Sequence, residues 1–334
     1  MSVAVVLVTH NHAGTLPATL ASLAAQSEPP QEVVLIDNAS ADDTVERAAA
    51  FSRRLPLELV RWHDNRGFAA AFNEGGRRST APWVLSLNPD CRLAEDFLAV
   101  LTAAAARYPR AGAACGLLLR GRGAALEANE LVDSAGMVMS ASGRHFDRGA
   151  AAPLCPELCR PAWVFGASGA AALYRRAALE DVAYPGGEVM DESFFAYRED
   201  ADLAWRLQRR GWVCLYEPAA RGAHARGFRP EAGRRGAEVI NRLSVRNRFL
   251  LRWSNADWRW LVACFPAWLL RDLLVIGACL TVERSSLPGL AQAWAWRRRQ
   301  RRRGAANHRC AVVSSWRLVR WFYPGGRVRP LESG

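Results

Sequence analysis

The sequence predicts an α/β protein built on a mostly parallel sheet with helices on both faces, and three observations lead there. Continuous runs rich in Val, Ile and Leu recur at 2–11, 32–40, 57–62 and 83–90. The stretches between them carry apolar residues at helical spacing. Polar side chains gather where the runs end: Thr9 and Asn11, Asp37, and Asp90. Unbroken apolar runs suit strands covered on both faces, and their alternation with helices gives βαβ units. In such sheets ligands lie beyond the carboxyl ends of the strands.

SVAVVLVTHN (2–11) reads as the first strand. The helix after it carries Leu16, Leu20 and Leu23 on one face, with Pro17 in the first turn, where a missing N–H is harmless. EVVLIDNAS (32–40) is the second strand and ADDTVERAAAF the second helix. LELVRW, FAAAFNEGGRRS and WVLSLNPD give strand, helix and strand again. Residues 112–170 alternate short apolar runs with Gly-rich turns and read as mixed, partly antiparallel structure. ADLAWRLQRRG (201–211) is a helix with Leu203, Trp205 and Leu207 on its apolar face, ended by Gly211. WVCLYEP (212–218) is a short strand.

The 334 residues, half of them apolar, suffice for one large or two smaller cores. All 44 basic side chains are Arg, and they are unevenly placed. Residues 1–228 carry 23 Arg against 26 acids, whereas 229–334 carry 21 Arg against 6. The net charge of +12 therefore belongs wholly to the last third, which also holds eight of the 13 Trp. The expected organisation is an α/β domain over 1–228 and a basic, Trp-rich helical region over 229–334. The eight Cys form no CxxC pattern, and Cys155 and Cys159 have no matching pair, which argues against zinc and for free thiols in a reducing cytoplasm. MSVAVVLVTHN lacks the charged start and cleavage site of a secretory leader.

In the last third, residues 238–252 read as a basic amphipathic helix with Val239, Leu243, Arg246 and Leu250 in its repeat. WRWLVACFPAWLLRDLLVIGACLTV (258–282) follows. A membrane span needs about twenty predominantly apolar residues; here Arg271 and Asp272 split the run, and Pro266 interrupts its first piece. Two helices lying in a membrane interface fit better. Trp258, Trp260, Trp268, Trp294 and Trp296 would sit in the headgroup zone and RRRQRRR (297–303) over anionic lipid. A soluble helical subdomain with an Arg-rich face is the alternative.

Several motifs in order carry a resemblance. VVLVTHNHAGTL, EVVLIDNASADDT, NRGFAAAFN, WVLSLNPD, MDESFFAYREDADLAWRLQRRGW and a later His span roughly residues 3 to 228. Together they resemble the family 2 glycosyltransferases, and most of all the bacterial rhamnosyltransferase-like branch. The resemblance implies a GT-A fold, a nucleotide-sugar donor (dTDP-, UDP- or GDP-linked), Mg²⁺ or Mn²⁺, and inversion at the anomeric carbon. It also implies a glycan or polyprenyl-linked acceptor in surface polysaccharide or cell-wall synthesis. With the basic tail it implies a protein held peripherally on the anionic inner face of the cell membrane.

The resemblance assigns roles residue by residue. Asp90 would bind a metal bridging the donor diphosphate, a task that needs one or two carboxylates. This chain has Asn88-Pro89-Asp90 where the wider superfamily has Asp-x-Asp, so Asn88 offers at most a carbonyl or a sugar contact. Asp90 could instead cap the helix beginning AEDFLAVL, with Asp96 a helix-surface charge. Asp37 matches the base-recognition carboxylate, against an Asx-turn role; Thr9 and Asn11 match contacts to base and ribose. Asn65, Arg66, Gly67 and Asn73 match a donor-binding segment, Arg66 reading equally as a solvated side chain. Gly166 fits the loop beneath the donor sugar. Asp200 matches the general base that an inverting transfer needs, with Glu199 orienting or binding acceptor; acids opening a helix, Asp202 included, are also ordinary dipole complements. Asp191 and Glu192 fit the acceptor side. His224 matches a late metal-completing histidine, or is structural. His10 and His12 read as surface residues.

Rival classes are weaker. A sugar nucleotidyltransferase would open with a Gly-rich, basic phosphate loop after strand one, and HNHAGTL has one Gly and no Arg. A nucleic-acid-binding role for the Arg-rich tail is disfavoured because its Arg alternate with Trp and Leu/Val runs, so no nucleic-acid partner is expected. A family member without catalysis is disfavoured by the presence of Asp90 and Asp200.

Overall fold

The computed structural model describes residues 1–226, 238–326 and 328–331. The chain opens β1 Val3–Thr9, α1 Leu16–Ala24, β2 Glu32–Asp37, α2 Thr44–Ala49, β3 Leu57–Arg61, α3 Phe68–Arg78 and β4 Trp83–Leu87. It continues β5 Cys91–Leu93, α4 Phe97–Ala106, β6 Ala111–Arg122, β7 Glu127–Ser134, β8 Met137–Met139, β9 His145–Asp147, β10 Ala162–Val164 and β11 Ala171–Arg175. Then come α5 Arg176–Val182, α6 Glu199–Arg209, β12 Val213–His224, α7 Glu238–Asn255, α8 Trp258–Ala263, α9 Ala267–Thr281, α10 Leu287–Arg309, α11 Ser315–Leu318 and β13 Val328–Pro330.

The main sheet runs β13-β10-β12-β6-β11-β4-β1-β2-β3, with β5 beside β12 and β7 beside β6. The half made by β3, β2, β1 and β4 is wholly parallel, as the apolar runs required. β11 enters antiparallel between β4 and β6, so its first residue, Ala171, lies opposite Leu87 at the carboxyl end of β4. That one reversal brings the loop before β11 to the ligand edge of the parallel half.

Successive β1 residues point to opposite faces. Val5 and Leu7 meet Leu16, Leu20, Phe97 and Leu101 on one face, while Val6 meets Phe72, Leu203 and Leu207 on the other. Each such fully buried side chain contributes about 1.5–3 kcal/mol from area removed from water.

Three features depart from the expectations. The strand expected to stop at 218 runs on to His224, because Pro218 falls in a register irregularity between Glu217 and Arg221, where no ladder N–H is needed. The apolar run 258–282 breaks at Pro266, as expected, between α8 and α9, but Arg271 and Asp272 lie inside α9 and do not split it. Asp272 is buried there on Arg252. Trp260, expected at a headgroup zone, is a core residue. It packs on Trp205 with ring centroids 5.4 Å apart and on Phe322 at 5.4 Å. Trp268 and Trp296 are half-buried, and only Trp258 and Trp294 of that set are exposed.

The expected boundary at 228 lies in the segment outside the described residues, and packing across it is extensive. Phe165 and Trp205 share one aromatic cluster with Leu250, Trp260, Trp321 and Phe322. α7 also fixes the loop ahead of α6. Asn247 donates through Nδ2 to the carbonyls of Phe194, Ala196 and Tyr197 at 2.9, 2.8 and 2.7 Å, and Arg246 donates to Phe194 O at 2.7 Å. Phe195, Tyr197 and Arg198 sit at φ of 65°, 69° and 76°, a left-handed conformation that costs about 1–3 kcal/mol per residue and persists only when surroundings over-determine it.

Candidate active site

The turn after β4 is set by two backbone bonds: Asn88 N–H donates to Ala170 O at 2.9 Å, and Cys91 N–H to Asn88 O at 3.2 Å. Asp90 is lifted on this turn, seven residues ahead of the helix it might have capped. β5 then pairs with the end of β12 in a register that sets Cys91 opposite His224. Asp90 Oδ1 consequently stands 3.2 Å from His224 Nε2. The other ring nitrogen, Nδ1, is 2.8 Å from Asp133 Oδ2, and Arg226 joins Asp133 at 3.1 Å to Asp147 at 2.7 Å. Burial alone would lower the His224 pKa, but Asp133 and Asp90 outweigh it and raise it to about 9. Asp90 and Asp133 are held below the usual carboxylate range, since His224 outweighs the desolvation that opposes ionisation.

A carboxylate and an imidazole converging on one point, with the far imidazole nitrogen held by a second carboxylate, is a donor set that fits Mg²⁺ or Mn²⁺. Asp90 and His224 would hold the cation, with Asp133 orienting the imidazole. Cys91 lies close by: its Sγ, within 4.8 Å of the Asp90 and His224 ligand atoms, donates to Ala170 O at 3.3 Å, and burial pushes its thiol pKa well up. His12, read from sequence as a surface residue, is half-buried and near enough to Asp90 to feel its charge; desolvation keeps its pKa low.

At the end of β1 and β2, Thr9 Oγ1 donates to Asp37 Oδ1 at 3.3 Å and Ser40 N–H to Asp37 Oδ2 at 3.2 Å, both residues being buried. Asp37 thus holds the loop after β2 through Ser40, three residues on, rather than in an i,i+2 Asx turn. Asn11, at φ 59°, accepts from Ala41 N–H at 2.8 Å. Asn65 Oδ1 accepts from Gly67 N–H at 3.0 Å, and Arg66 lies over the Trp62 ring, 4.5 Å from its centroid. Gly67 has φ 86°, and a Cβ there would meet Phe195 O at 2.5 Å, so no other residue fits.

The third group opens α6. Asp200 is half-buried; its Oδ2 accepts from Gly169 N–H at 3.2 Å and its Oδ1 from Ala201 N–H at 2.7 Å. Desolvation raises its pKa to about 6, against the Gly169 bond and with help from Asp147. Glu199 is buried with Oε2 unpartnered, and desolvation followed by the Asp200 charge raises it to about 8. Gly169 and Ala170 are adjacent, and one holds Asp200 while the other holds Asn88. Two residues of backbone therefore couple the Asp90 turn to the Asp200 helix.

Other expected residues are placed away from this centre. Asn73 is buried, bonding Met190 N–H and O at 2.8 Å each and Glu192 at 3.1 Å, which leaves its side chain nothing for a donor. Gly166 packs against α6, where a Cβ would lie 2.4 Å from that of Ala204, and the loop meets the site through Gly169 instead. Asp191 is fully buried on Arg303 of α10 at 2.8 Å, and only Glu192 of that pair is exposed. Asp202 is spent on Arg206 at 2.8 Å and Asn255 at 2.7 Å. Asp133, Asp147 and Arg226 went unread in the sequence: nothing in LVDSAG marks an imidazole's partner two strands away. Gly169 was within reach of reading, in the same GASG as Gly166.

The sequence model of the family described as glycosyl transferase family 2 matches residues 4–183, more than half of the chain. The chain belongs to that family. This glycosyltransferase is 30% identical over 310 residues to the N-acetylglucosaminyl-diphospho-decaprenol L-rhamnosyltransferase of Mycobacterium tuberculosis, covering 85% of this chain and 93% of that one. It is 24% identical over 215 residues to the poly-β-1,6-N-acetyl-D-glucosamine synthase of Staphylococcus epidermidis, covering 64% and 47%. Among solved structures, the mannosyltransferase PcManGT of Pyrobaculum calidifontis, in complex with GDP-Man and Mn²⁺, superposes with TM-score 0.53 at 20% identity over 95% of this chain and 83% of that one. TarS of S. aureus gives 0.54 at 17% over 92% and 89%. These likenesses establish the GT-A fold.

Proposed function

We propose that this glycosyltransferase moves a sugar, with inversion, from a nucleotide-diphosphate donor to a hydroxyl of a polyprenyl-diphosphate-linked glycan. The observation that carries the proposal is the Asp200 carboxylate. It is proton-avid, half-open to solvent, and strapped through Gly169 and Ala170 to the Asp90–His224 corner. A base and a diphosphate site side by side are what a single displacement needs.

In this reading Asp90 and His224 hold the cation, and Asp133 fixes the imidazole. Bound Mg²⁺ or Mn²⁺ supplies charge neutralisation for the departing diphosphate. Thr9, Asn11, Asp37 and the 65–67 segment line the nucleotide end, with Arg66 on Trp62 at its edge. Asp200 takes the proton of the acceptor hydroxyl as that oxygen attacks the anomeric carbon, opposite the bond that breaks to the nucleotide diphosphate. With its pKa near 6 the carboxylate is ionised at neutral pH yet a better base than an ordinary Asp. Glu199, held mostly protonated beside it, adds no second charge. The M. tuberculosis relative's name favours rhamnose as the sugar and a diphospho-polyprenol-linked GlcNAc as the acceptor.

The test of the donor is a thermal-shift panel of dTDP, UDP and GDP with and without Mn²⁺. Ligand at a hundred times its Kd stabilises by about 2.7 kcal/mol. A metal-dependent rise with one nucleotide is the expected result, and no rise with any of them counts against the proposal.

Peripheral membrane attachment is supported by α9. Leu270, Leu273, Leu274 and Leu280 form an exposed stripe at helical spacing, and Trp258, Val262 and Phe265 are exposed nearby in sequence. No single helix among the described residues is long and apolar enough to cross a membrane. The Arg run on α10 is shared: Gln300 and Arg303 face the catalytic region, whereas Arg298, Arg299, Arg301 and Arg302 are exposed. Leu273→Glu with Leu274→Glu is expected to leave the protein unbound in flotation with phosphatidylglycerol vesicles. Undiminished flotation would remove α9 as the attachment face.

A further inference from the structure

Near Asp200 lies a group of buried arginines that the transfer chemistry above does not use. Arg198 immediately precedes α6 and is 7% exposed; Arg248 of α7 is 8% exposed. Arg248 makes no hydrogen bond or ion pair with any described residue, and its Nη1 is buried without a partner. Nε of Arg271, on α9, is buried and unpartnered too. The polar neighbour of Arg198 is the His145 ring, Nη1 to Nδ1 at 3.5 Å. Arg144, stacked 4.5 Å from the Phe146 centroid, flanks them.

These groups repel one another. Burial first, then Arg248 and Arg144, pull the Arg198 pKa down to about 9, while Asp200 pulls it back up. Arg248 is lowered by burial and by Arg271. His145, desolvated among Arg198, Arg144, Arg226 and Arg248, is driven down to about 3 and stays neutral. Among the described residues the counter-charge is partial: Asp200 offsets Arg198, Asp272 is shared between Arg248 and its ion-pair partner Arg252, and Asp147 is paired with Arg226. Buried cations without full counter-charge are unfavourable, and guanidinium N–H groups match phosphate oxygens in geometry and charge.

We infer that Arg198, Arg248 and Arg271 form the seat for the diphosphate of the lipid-linked acceptor. This rests on the proposed lipid-linked acceptor and adds where its charged link sits. Three parts of such a substrate can be laid along these residues: Arg271 falls between Leu270 and Leu273 of the exposed apolar stripe, Arg248 of α7 is near enough to feel the Arg271 charge, and Arg198 is two residues from the base. The prenyl chain lies along α9, the diphosphate on the arginines, and the sugar hydroxyl at Asp200. The donor diphosphate is not the occupant, because these side chains come from α7, α9 and the α6 approach and not from the strand ends around Asp90.

The test compares two acceptors with the full-length protein: GlcNAc-diphospho-farnesol and the matching GlcNAc farnesyl glycoside without the diphosphate. If the wild type uses both alike, the lipid-diphosphate acceptor itself is wrong. If the wild type prefers the diphosphate, Arg248→Met and Arg271→Met are each expected to cut the ratio of kcat/KM values by about tenfold or more. An unchanged ratio overturns the seat and leaves the acceptor reading intact. Inorganic pyrophosphate is expected to compete with the acceptor in the wild type, and about tenfold less well in Arg248→Met. A variant that keeps the ratio but loses binding to phosphatidylglycerol vesicles would show that the cluster holds a phospholipid headgroup, which also overturns it. Removing a partly compensated cation should leave the ligand-free unfolding midpoint of Arg248→Met at or above that of the wild type; a marked fall would mean a structural role and contradict the inference.

Discussion

Asp200→Asn is expected to lower kcat by about 10²–10⁴, the range for loss of a general base, while the nucleotide still binds as in the wild type. The amide keeps an oxygen for the Gly169 N–H, so the strap to Ala170 and Asn88 survives and the loss reports chemistry rather than collapse. The pH profile gives a second reading of the same group. An ordinary Asp titrates near ~4 and would be fully ionised across the working range. With its pKa raised to about 6 by desolvation, Asp200 gains its basic form as pH rises through that region, so kcat/KM climbs and then levels above it. The variant should lack this ascending limb. Retained turnover in Asp200→Asn, or an unchanged limb, would pass the role to another group, with Glu199 first in line.

Asp90→Ala is expected to abolish the Mn²⁺-dependent part of nucleotide stabilisation and to reduce transfer by more than about 10–100-fold, the loss typical when a residue that merely orients a metal ligand is removed. Asp133→Asn, which leaves both ligands in place but frees the His224 ring, should fall within that smaller range. The order of the two is the informative part. Mn²⁺ titrations of the nucleotide complex measure it, and equal Mn²⁺ affinity in Asp90→Ala and the wild type would remove this corner as the cation site.

The parallel half of the sheet was legible because its strands are buried on both faces and spell unbroken apolar runs: Val3–Thr9, Glu32–Asp37 and Trp83–Leu87 all lie where the sequence put them. The ends of those runs carried Thr9, Asp37 and Asp90 with them, since a strand's carboxyl end fixes its own next residues. What depended on pairing between distant segments was not legible. Asp133 reaches His224 only because β7 and β12 both flank β6, and no local pattern records that. Asn73 looks from sequence like any polar helix residue, yet its amide is consumed by Met190 and Glu192, more than a hundred residues on. Tryptophan content misled in the last third. The same residue type serves a wet interface and a core, and Trp260 is walled in by Trp205 and Phe322 while Trp294 stands outside. Nor does the charge shift near 228 record that Asn247 and Arg246 of α7 hold the loop that aims Asp200.

The central claim is a single displacement at the anomeric carbon with Asp200 as the base, and the configuration of the first product measures it most directly. The purified protein, its matched nucleotide-sugar, Mn²⁺ and the diphosphate-linked acceptor would be followed by NMR through the first turnovers. The account predicts that the new glycosidic bond has the anomeric configuration opposite to that of the donor. A product that retains the donor's configuration would contradict it, because retention needs a second displacement or a same-face attack for which Asp200 is not placed.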